Sequence, residues 1–369
     1  MSRFDRLKRR FNTLKWDLLK KKECLYVAFL STGGVGDLLV HLNFLKAFRA
    51  HCEPSLRIDL YHSAKLISSL YDPKDGYLEG WFNRDDFGRF EDKYDLVFSF
   101  HSRYPKPTMI RTRRTSLLAP ECFRLYKAYF AHYEANCDFY DLMPRLDGIA
   151  GDFAVAGGFT RLTQPDINRL LGLGPSFDIA IPVKKEKETL EAFGLEPGRY
   201  LTFNNSVDTG FSGNRSTKLW LPEYFEALFE LLHQTRPDLK LVFLGPDKTP
   251  VKSPFVLNLT GETNFEELKA VLKNAALHIG PEGGMVHMRQ ALGGTSKTSC
   301  VLFGPTSRAF FGYPDNINLE MPGVCLNHCE WLSRTWQESC VRVKKPLCDK
   351  MKALTPEIVF EAIKGALPC

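Results

Sequence analysis

The stretch from Ala275 to Thr306 leaves the least choice of fold. Leu277-His278-Ile279 is a short apolar run suited to a buried strand, and it closes on Gly280. Glu282-Gly283-Gly284 follows, and then Met285, Met288 and Leu292 recur at helical spacing before Gly293-Gly294. A second strand over 298–303 runs into Gly304-Pro305-Thr306. Strand, glycine turn, helix and strand make one parallel βαβ unit, with glycines where the backbone must approach a partner closely. The N–H groups that open such a helix are unsatisfied and lie at the positive end of its dipole, so they suit a phosphate. A phosphate-bearing ligand is the first expectation.

At 369 residues the chain is long for one core and comfortable for two domains. No run approaches the ~18 apolar residues of a transmembrane helix. The basic N-terminus lacks the apolar core and cleavage site of a secretory signal. Ten cysteines spread along the chain point to a reducing compartment, so a cytoplasmic protein is expected. Residues 1–22 hold nine Lys or Arg against Asp5 and Asp17, a net +7; the whole chain is +6, so the rest carries −1. Phe4, Leu7, Phe11, Leu14 and Leu18 form one apolar stripe there. Such a basic amphipathic helix either lies on an anionic membrane surface or packs on the body with its basic face in water. Nothing else in the chain extends the basic surface, which argues against nucleic acid.

Cys24 to Leu30 reads as a buried parallel strand, Ser31 to Asp37 as a glycine turn, and 38–50 as a helix with Leu39, Leu42, Leu45 and Phe48 on its apolar side. Strands over 56–61 and 95–100 continue a first α/β domain. Gly33, Gly34 and Gly36 do not make the G-x-G-x-x-G of a dinucleotide site, and the strand near Leu60 ends in Tyr-His rather than an acid, so an NAD or FAD oxidoreductase is disfavoured. Asp37 stands at the carboxyl end of the first strand, where ligands of open α/β sheets gather, although a helix-opening acid needs no function. Residues 101–114 read as a proline-broken loop whose arginines, Arg111 and Arg113 among them, suit an anionic acceptor. A charged turn around 182–198 marks the boundary with a second α/β domain. There Tyr200 to Phe203, Leu239 to Leu244 and Val256 to Leu259 read as strands and Glu266 to Lys273 as a helix.

Four segments carry a resemblance. Ser31-Thr32-Gly33-Gly34-Val35-Gly36-Asp37, Lys218-Leu219-Trp220-Leu221-Pro222, Glu282-Gly283-Gly284-Met285-Val286-His287 and Phe303-Gly304-Pro305-Thr306 occur in an order and spacing that resembles glycosyltransferase family 9, the ADP-heptose:lipopolysaccharide heptosyltransferases. The likeness spans about residues 24–320. It implies a GT-B fold, two Rossmann-like domains facing a central cleft: 23–185 for the acceptor and 198–350 for the nucleotide sugar, with a C-terminal helix over 351–369 that often crosses back to the first domain. It implies inverting, metal-independent sugar transfer from an ADP-heptose-like donor to an anionic glycolipid or glycan, at the inner face of a membrane. Asp37 would be the general base and Lys218 would neutralise the diphosphate leaving group. Gly34, Gly36, Glu282, Gly283, Gly284, His287, Gly304 and Thr306 would line the substrates. Where the family reads Asp-Thr-Gly this chain has Glu-Gly-Gly, which bears on the identity of the sugar. A non-catalytic glycan- or metal-binding protein of the same fold is the other class the motifs admit.

Cys325, Cys329, Cys340 and Cys348 form C-x3-C-x10-C-x7-C. Four thiolates there are a candidate set for a structural zinc or iron, against buried free thiols or a disulfide. Some relatives of the family carry comparable clusters, a few with iron. No cofactor is expected for the transfer itself.

Overall fold

The computed structural model describes residues 23–101, 104–135, 177–206, 216–248, 251–294, 296, 298–325, 328–329, 335–340 and 342–368. The basic stripe over 1–22 lies outside the described residues. The chain divides into two compact units: the described residues 23–33, 37–135 and 177–179 fall in the first, and 34–36 and 180–368 in the second.

In the first unit β1 (Leu25–Leu30), β2 (Leu56–His62), β3 (Gly80–Asn83), β4 (Leu96–His101) and β5 (Tyr104–Ile110) form one sheet in the order β3-β2-β1-β4-β5. Successive side chains alternate faces along β1. Phe29 packs against Phe44 and Phe48 of helix α1 (Val35–Ala50) and stacks on Phe98 at 4.9 Å between ring centres. Ala28, on the other face, joins Tyr61, Tyr94 and Val97. Leu39, Leu42, Leu45 and Phe48 are all buried, as their spacing requires. The stretch expected to be a proline-broken loop is instead β5, which pairs antiparallel with β4. Pro105 and Pro107 are compatible with this because β5 is the sheet's edge, where a missing N–H costs no ladder bond.

The second unit holds β6 (Tyr200–Asn204), β7 (Lys240–Leu244), β8 (Val256–Asn258), β9 (Leu277–Pro281), β10 (Ser299–Phe303) and β11 (Ile317–Glu320) in the order β11-β10-β9-β6-β7-β8, every pairing parallel. Helices α2 (Pro222–Thr235), α3 (Phe265–Asn274) and α4 (Gly284–Leu292) connect them. Asn264 and Glu267 close a reciprocal capping box at the start of α3. The terminal helices α5 (Asp349–Ala353) and α6 (Pro356–Ile363) complete the second unit's core: Met351, Leu354, Val359, Phe360 and Ile363 cluster with Trp220, Phe225 and Leu232. The Trp220 indole N–H donates to the Leu354 carbonyl at 2.7 Å, so the pairing is directional as well as apolar.

Candidate functional site

Both sheets have a point where the connections part to opposite sides: between β1 and β4 in the first unit, between β6 and β9 in the second. Crevices outside the carboxyl ends of such strand pairs are the ligand sites of open α/β sheets. In the second unit the chain leaving β6 leads to Lys218 and the chain leaving β9 leads to Glu282. Side-chain clamps fix the first of these. Asn205 donates to the Trp220 carbonyl at 2.8 Å and accepts from its N–H at 2.9 Å, and Thr217 Oγ1 donates to the Trp336 carbonyl at 2.9 Å. Lys218 Nζ, held between them, lies 2.5 Å from Glu282 Oε2 and 5.7 Å from the centre of the Trp336 ring. The Lys218 side chain is 15% exposed and that of Glu282 only 7%, so this ion pair is shielded from solvent.

Gly280, at the carboxyl end of β9, has no room for a side chain, since a Cβ there would stand 2.1 Å from Asn204 Oδ1. Gly283 is the reverse case. Its backbone is extended and a Cβ would meet nothing within 4 Å, so the missing side chain leaves open space at the entrance to α4. The N–H groups of Gly283 and Gly284 are turned to no other hydrogen-bond acceptor among the described residues. His287, one turn into α4, is buried; its Nε2 is 3.9 Å from Glu282 Oε1 and its Nδ1 is 2.6 Å from the Tyr313 hydroxyl. Lys218, Glu282, His287 and Tyr313 thus form one buried polar chain beside a free helix N-terminus, an arrangement suited to an anion of two charges. Tyr313 is not recognisable in sequence, because no motif or spacing ties it to residue 287. Thr306 is buried on the loop after β10. Gly304 has a packing reason for being glycine: a Cβ would lie 2.5 Å from Met351 Cγ and 3.3 Å from Cys348 Sγ.

In the first unit Asp37 falls in the first turn of α1, directly after β1. Gly33, with φ +97°, makes room for it: a Cβ there would stand 2.2 Å from Asp37 Oδ2. The turn's conformational glycine is therefore Gly33, whereas Gly34 and Gly36 have negative or extended backbone angles. His62, at the end of the adjacent β2, has its Nε2 3.0 Å from the Gly33 carbonyl. Burial lowers the His62 pKa; the Gly33 carbonyl and the Asp37 charge oppose that shift, and the Arg84 charge adds to it. Arg84 donates to the Ser31 carbonyl at 3.1 Å. Asp37, His62 and Arg84 gather at one end of the sheet.

Arg111 and Arg113 do not join them. Arg111 Nη1 is 3.9 Å from Asp95 Oδ1, its Nη2 donates to the Asp92 carbonyl at 2.9 Å, and the neighbouring Arg114 reaches Asp95 and the Cys24 carbonyl. Asp95 and Cys24 stand just before β4 and β1, at the amino ends of strands six residues long. At ~3.3 Å per residue that is about 20 Å from the end that carries Asp37. The antiparallel β5 accounts for this, since it returns the chain to the far edge before Arg111. The strand direction therefore sets Arg111 at the opposite end of the sheet from Asp37.

Cys325, Cys329, Cys340 and Cys348 are free thiols, the last two buried. Burial foremost raises the Cys348 thiol to about 11, and the charges of Cys329 and Cys325 add to that. Among the described residues no group of three His, Cys, Asp or Glu side chains is arranged as a metal ion would hold them. The segment is nevertheless tied to the site's loops: the Cys329 N–H donates to the Pro305 carbonyl at 2.9 Å, and Glu320 Oε1 accepts from His328 at 2.7 Å and from the buried Lys350 at 2.6 Å. No described helix is long and apolar enough to cross a membrane.

Residues 174–341 match glycosyltransferase family 9 (heptosyltransferase). No curated protein sequence matches the chain. Among solved structures, ADP-heptose lipopolysaccharide heptosyltransferase II of E. coli is 12% identical over 93% of this chain and 98% of that one, with a TM-score of 0.53. A family 9 glycosyltransferase from Veillonella parvula is 16% identical over 93% and 97%, with a TM-score of 0.54. The iron-containing dodecameric glycosyltransferase TibC from enterotoxigenic E. coli is 13% identical over 93% of this chain and 76% of that one, with a TM-score of 0.57. At these identities the structures establish the architecture, a GT-B fold with two Rossmann-like units. The family match covers the segment that holds Lys218, Glu282, His287 and Tyr313, and by it residues 174–341 are a glycosyltransferase domain similar to family 9, the heptosyltransferases.

Proposed function

We propose that the protein transfers a sugar, a heptose or a close relative, from a nucleoside-diphosphate donor to an anionic glycolipid or glycan of the lipopolysaccharide kind, with inversion and without a catalytic metal. The observation that carries this reading is the meeting of Lys218 and Glu282 at the second sheet's switch point, beside the unbonded N–H groups that open α4. The donor's diphosphate binds at that helix N-terminus. Glu282 holds the Lys218 ammonium in place before the donor arrives, and the diphosphate then takes over that contact. As the bond from the anomeric carbon to the leaving oxygen breaks, Lys218 and the helix N-terminus stabilise the charge that builds on the diphosphate. Glu282, released from Lys218, accepts hydroxyls of the donor and so bears on which sugar is taken. On the first unit Asp37 accepts the proton of the acceptor hydroxyl as that oxygen attacks. Gly33 keeps its carboxylate clear of the turn, and Arg84 at the same strand ends meets an anionic acceptor.

TibC in complex with ADP-D-β-D-heptose has the same fold, at 13% identity and a TM-score of 0.57 over 94% of this chain, which favours an ADP-heptose-like donor. The test is transfer from ADP-heptose to lipopolysaccharide core acceptors in excess EDTA, with the anomeric configuration of the product read by NMR, alongside a thermal-shift screen of nucleotide sugars. Retention of configuration, dependence on a divalent metal, or neither transfer nor a shift with any donor would sink the proposal. The acceptor places the enzyme at the cytoplasmic face of a membrane, with residues 1–22 as the anchor. Deleting them should abolish co-sedimentation with anionic liposomes, and unchanged binding would remove that role. A zinc or iron at the four cysteines would be structural, and elemental analysis of the purified protein decides its presence.

A further inference from the structure

We infer that Tyr313 is a positioning residue which holds His287 as the tautomer carrying its proton on Nε2, so that the imidazole presents a donor to the diphosphate crevice. The inference rests on the reading that this crevice receives the donor. A neutral imidazole has one N–H and one lone pair, and its neighbours decide which nitrogen has which. The Nε2 of His287 faces a carboxylate, Glu282 Oε1, at 3.9 Å; a lone pair turned toward that oxygen would be repelled, and an N–H is attracted. Nδ1 must then accept, and the group within reach is the Tyr313 hydroxyl at 2.6 Å, which has a proton to donate. Both side chains are buried and their rings meet edge to face, with centres 5.5 Å apart.

The tyrosine is itself held rigidly. Its carbonyl accepts from Asn318 Nδ2 at 2.9 Å and from the Asn316 N–H at 3.1 Å, while Asn316 Oδ1 accepts from the Ser299 N–H at the start of β10. The preceding Gly312 has no space for a Cβ, which would stand 2.7 Å from the Arg308 carbonyl. The connection between β10 and β11 therefore anchors the phenol, and the phenol anchors a histidine on α4. Without the hydroxyl the imidazole keeps its packing but loses the donor that Tyr313 sets against Nδ1, and the proton is free to move to that nitrogen.

Tyr313→Phe removes the hydroxyl and keeps the ring, so the full-length variant should fold. Long-range 1H–15N spectra of the histidine-labelled protein, with His287 identified by its absence in His287→Gln, should show the Nε2–H pattern in the wild type and a mixed or Nδ1–H pattern in Tyr313→Phe. Transfer should fall on the order of tenfold in kcat/KM, the worth of one hydrogen bond to the imidazole, with the melting temperature close to wild type. An unchanged Nε2–H pattern in Tyr313→Phe overturns the inference, as does a wild-type pattern already on Nδ1. If His287→Gln itself transfers sugar normally, the role given to His287 in donor binding fails, and the spectra alone then decide whether Tyr313 sets its tautomer.

Discussion

Lys218 Nζ and Glu282 Oε2 lie 2.5 Å apart, and the two residues are carried there by chains leaving neighbouring strands, β6 and β9. Neither charge faces bulk water, so each depends on the other. Lys218→Met takes the ammonium partner away from the buried Glu282 carboxylate, at a cost of about 3 kcal/mol in urea denaturation. The double variant Lys218→Met, Glu282→Gln should recover most of that stability and yet remain slower than wild type by about 10²–10³ in kcat. A double variant with normal turnover would take Lys218 out of the chemistry.

Asp37→Asn keeps the size of the side chain and removes the proton acceptor. Transfer should drop by at least ~10², while donor affinity, measured by titration calorimetry, and melting temperature stay near wild type. Loss of donor affinity in this variant would assign Asp37 a different task. Gly33→Ala should mimic the activity loss from a different cause. It forces a Cβ into a backbone angle of φ +97° and against Asp37 Oδ2, so it should also destabilise by about 1–2 kcal/mol.

The buried His278 on β9 predicts a pH dependence of stability. Its Nδ1 lies 3.1 Å from Thr202 Oγ1, and burial foremost, with the Arg289 charge, lowers its pKa from 6.5 to about 3. Below pH 6.5 the unfolded chain binds a proton that the folded chain refuses. Stability from this group is therefore complete above 6.5 and declines as the pH falls toward 3, by about 1.4 kcal/mol per unit. His278→Phe should flatten the decline of the urea midpoint between pH 6.5 and 4.5, and an equal decline in both proteins would exclude His278 as its source.

At Gly304 the glycine serves packing. Gly304→Ala should destabilise the second unit by about 1–3 kcal/mol, because its Cβ collides with Met351. Shortening the obstruction in Gly304→Ala, Met351→Ala should restore part of that loss relative to the Met351→Ala parent. A glycine needed only for substrate approach would show no such coupling.

Much of the architecture was legible in the order of residues. The run from Leu277 to Phe303 could be read as strand, turn, helix and strand because burial on both faces of a parallel strand demands unbroken apolar residues, and α1 because Leu39, Leu42, Leu45 and Phe48 fall on one side of a helix. These are local periodicities, and a linear string carries them in full. Asp37 is legible from its place at the end of the first strand, whereas Lys218, Glu282 and His287 stand out in sequence only through motifs that resemble glycosyltransferase family 9.

Only the tertiary structure decided which of these groups meet. That Arg111 is turned to Asp95, about 20 Å from Asp37, follows from the antiparallel return of β5 on a sheet edge. In sequence the prolines of that strand look like a loop. The partnership of His287 with Tyr313, 26 residues on, depends on how far the β10–β11 connection reaches back over α4, and no period or motif encodes that distance. Gly304 and Met351 meet because α5 folds onto β10 within the same unit. Sequence determined the elements and the chemistry at their ends, because both depend on neighbours in the chain. The structure determined the pairs, because a hydrogen bond or a collision depends on separations in space.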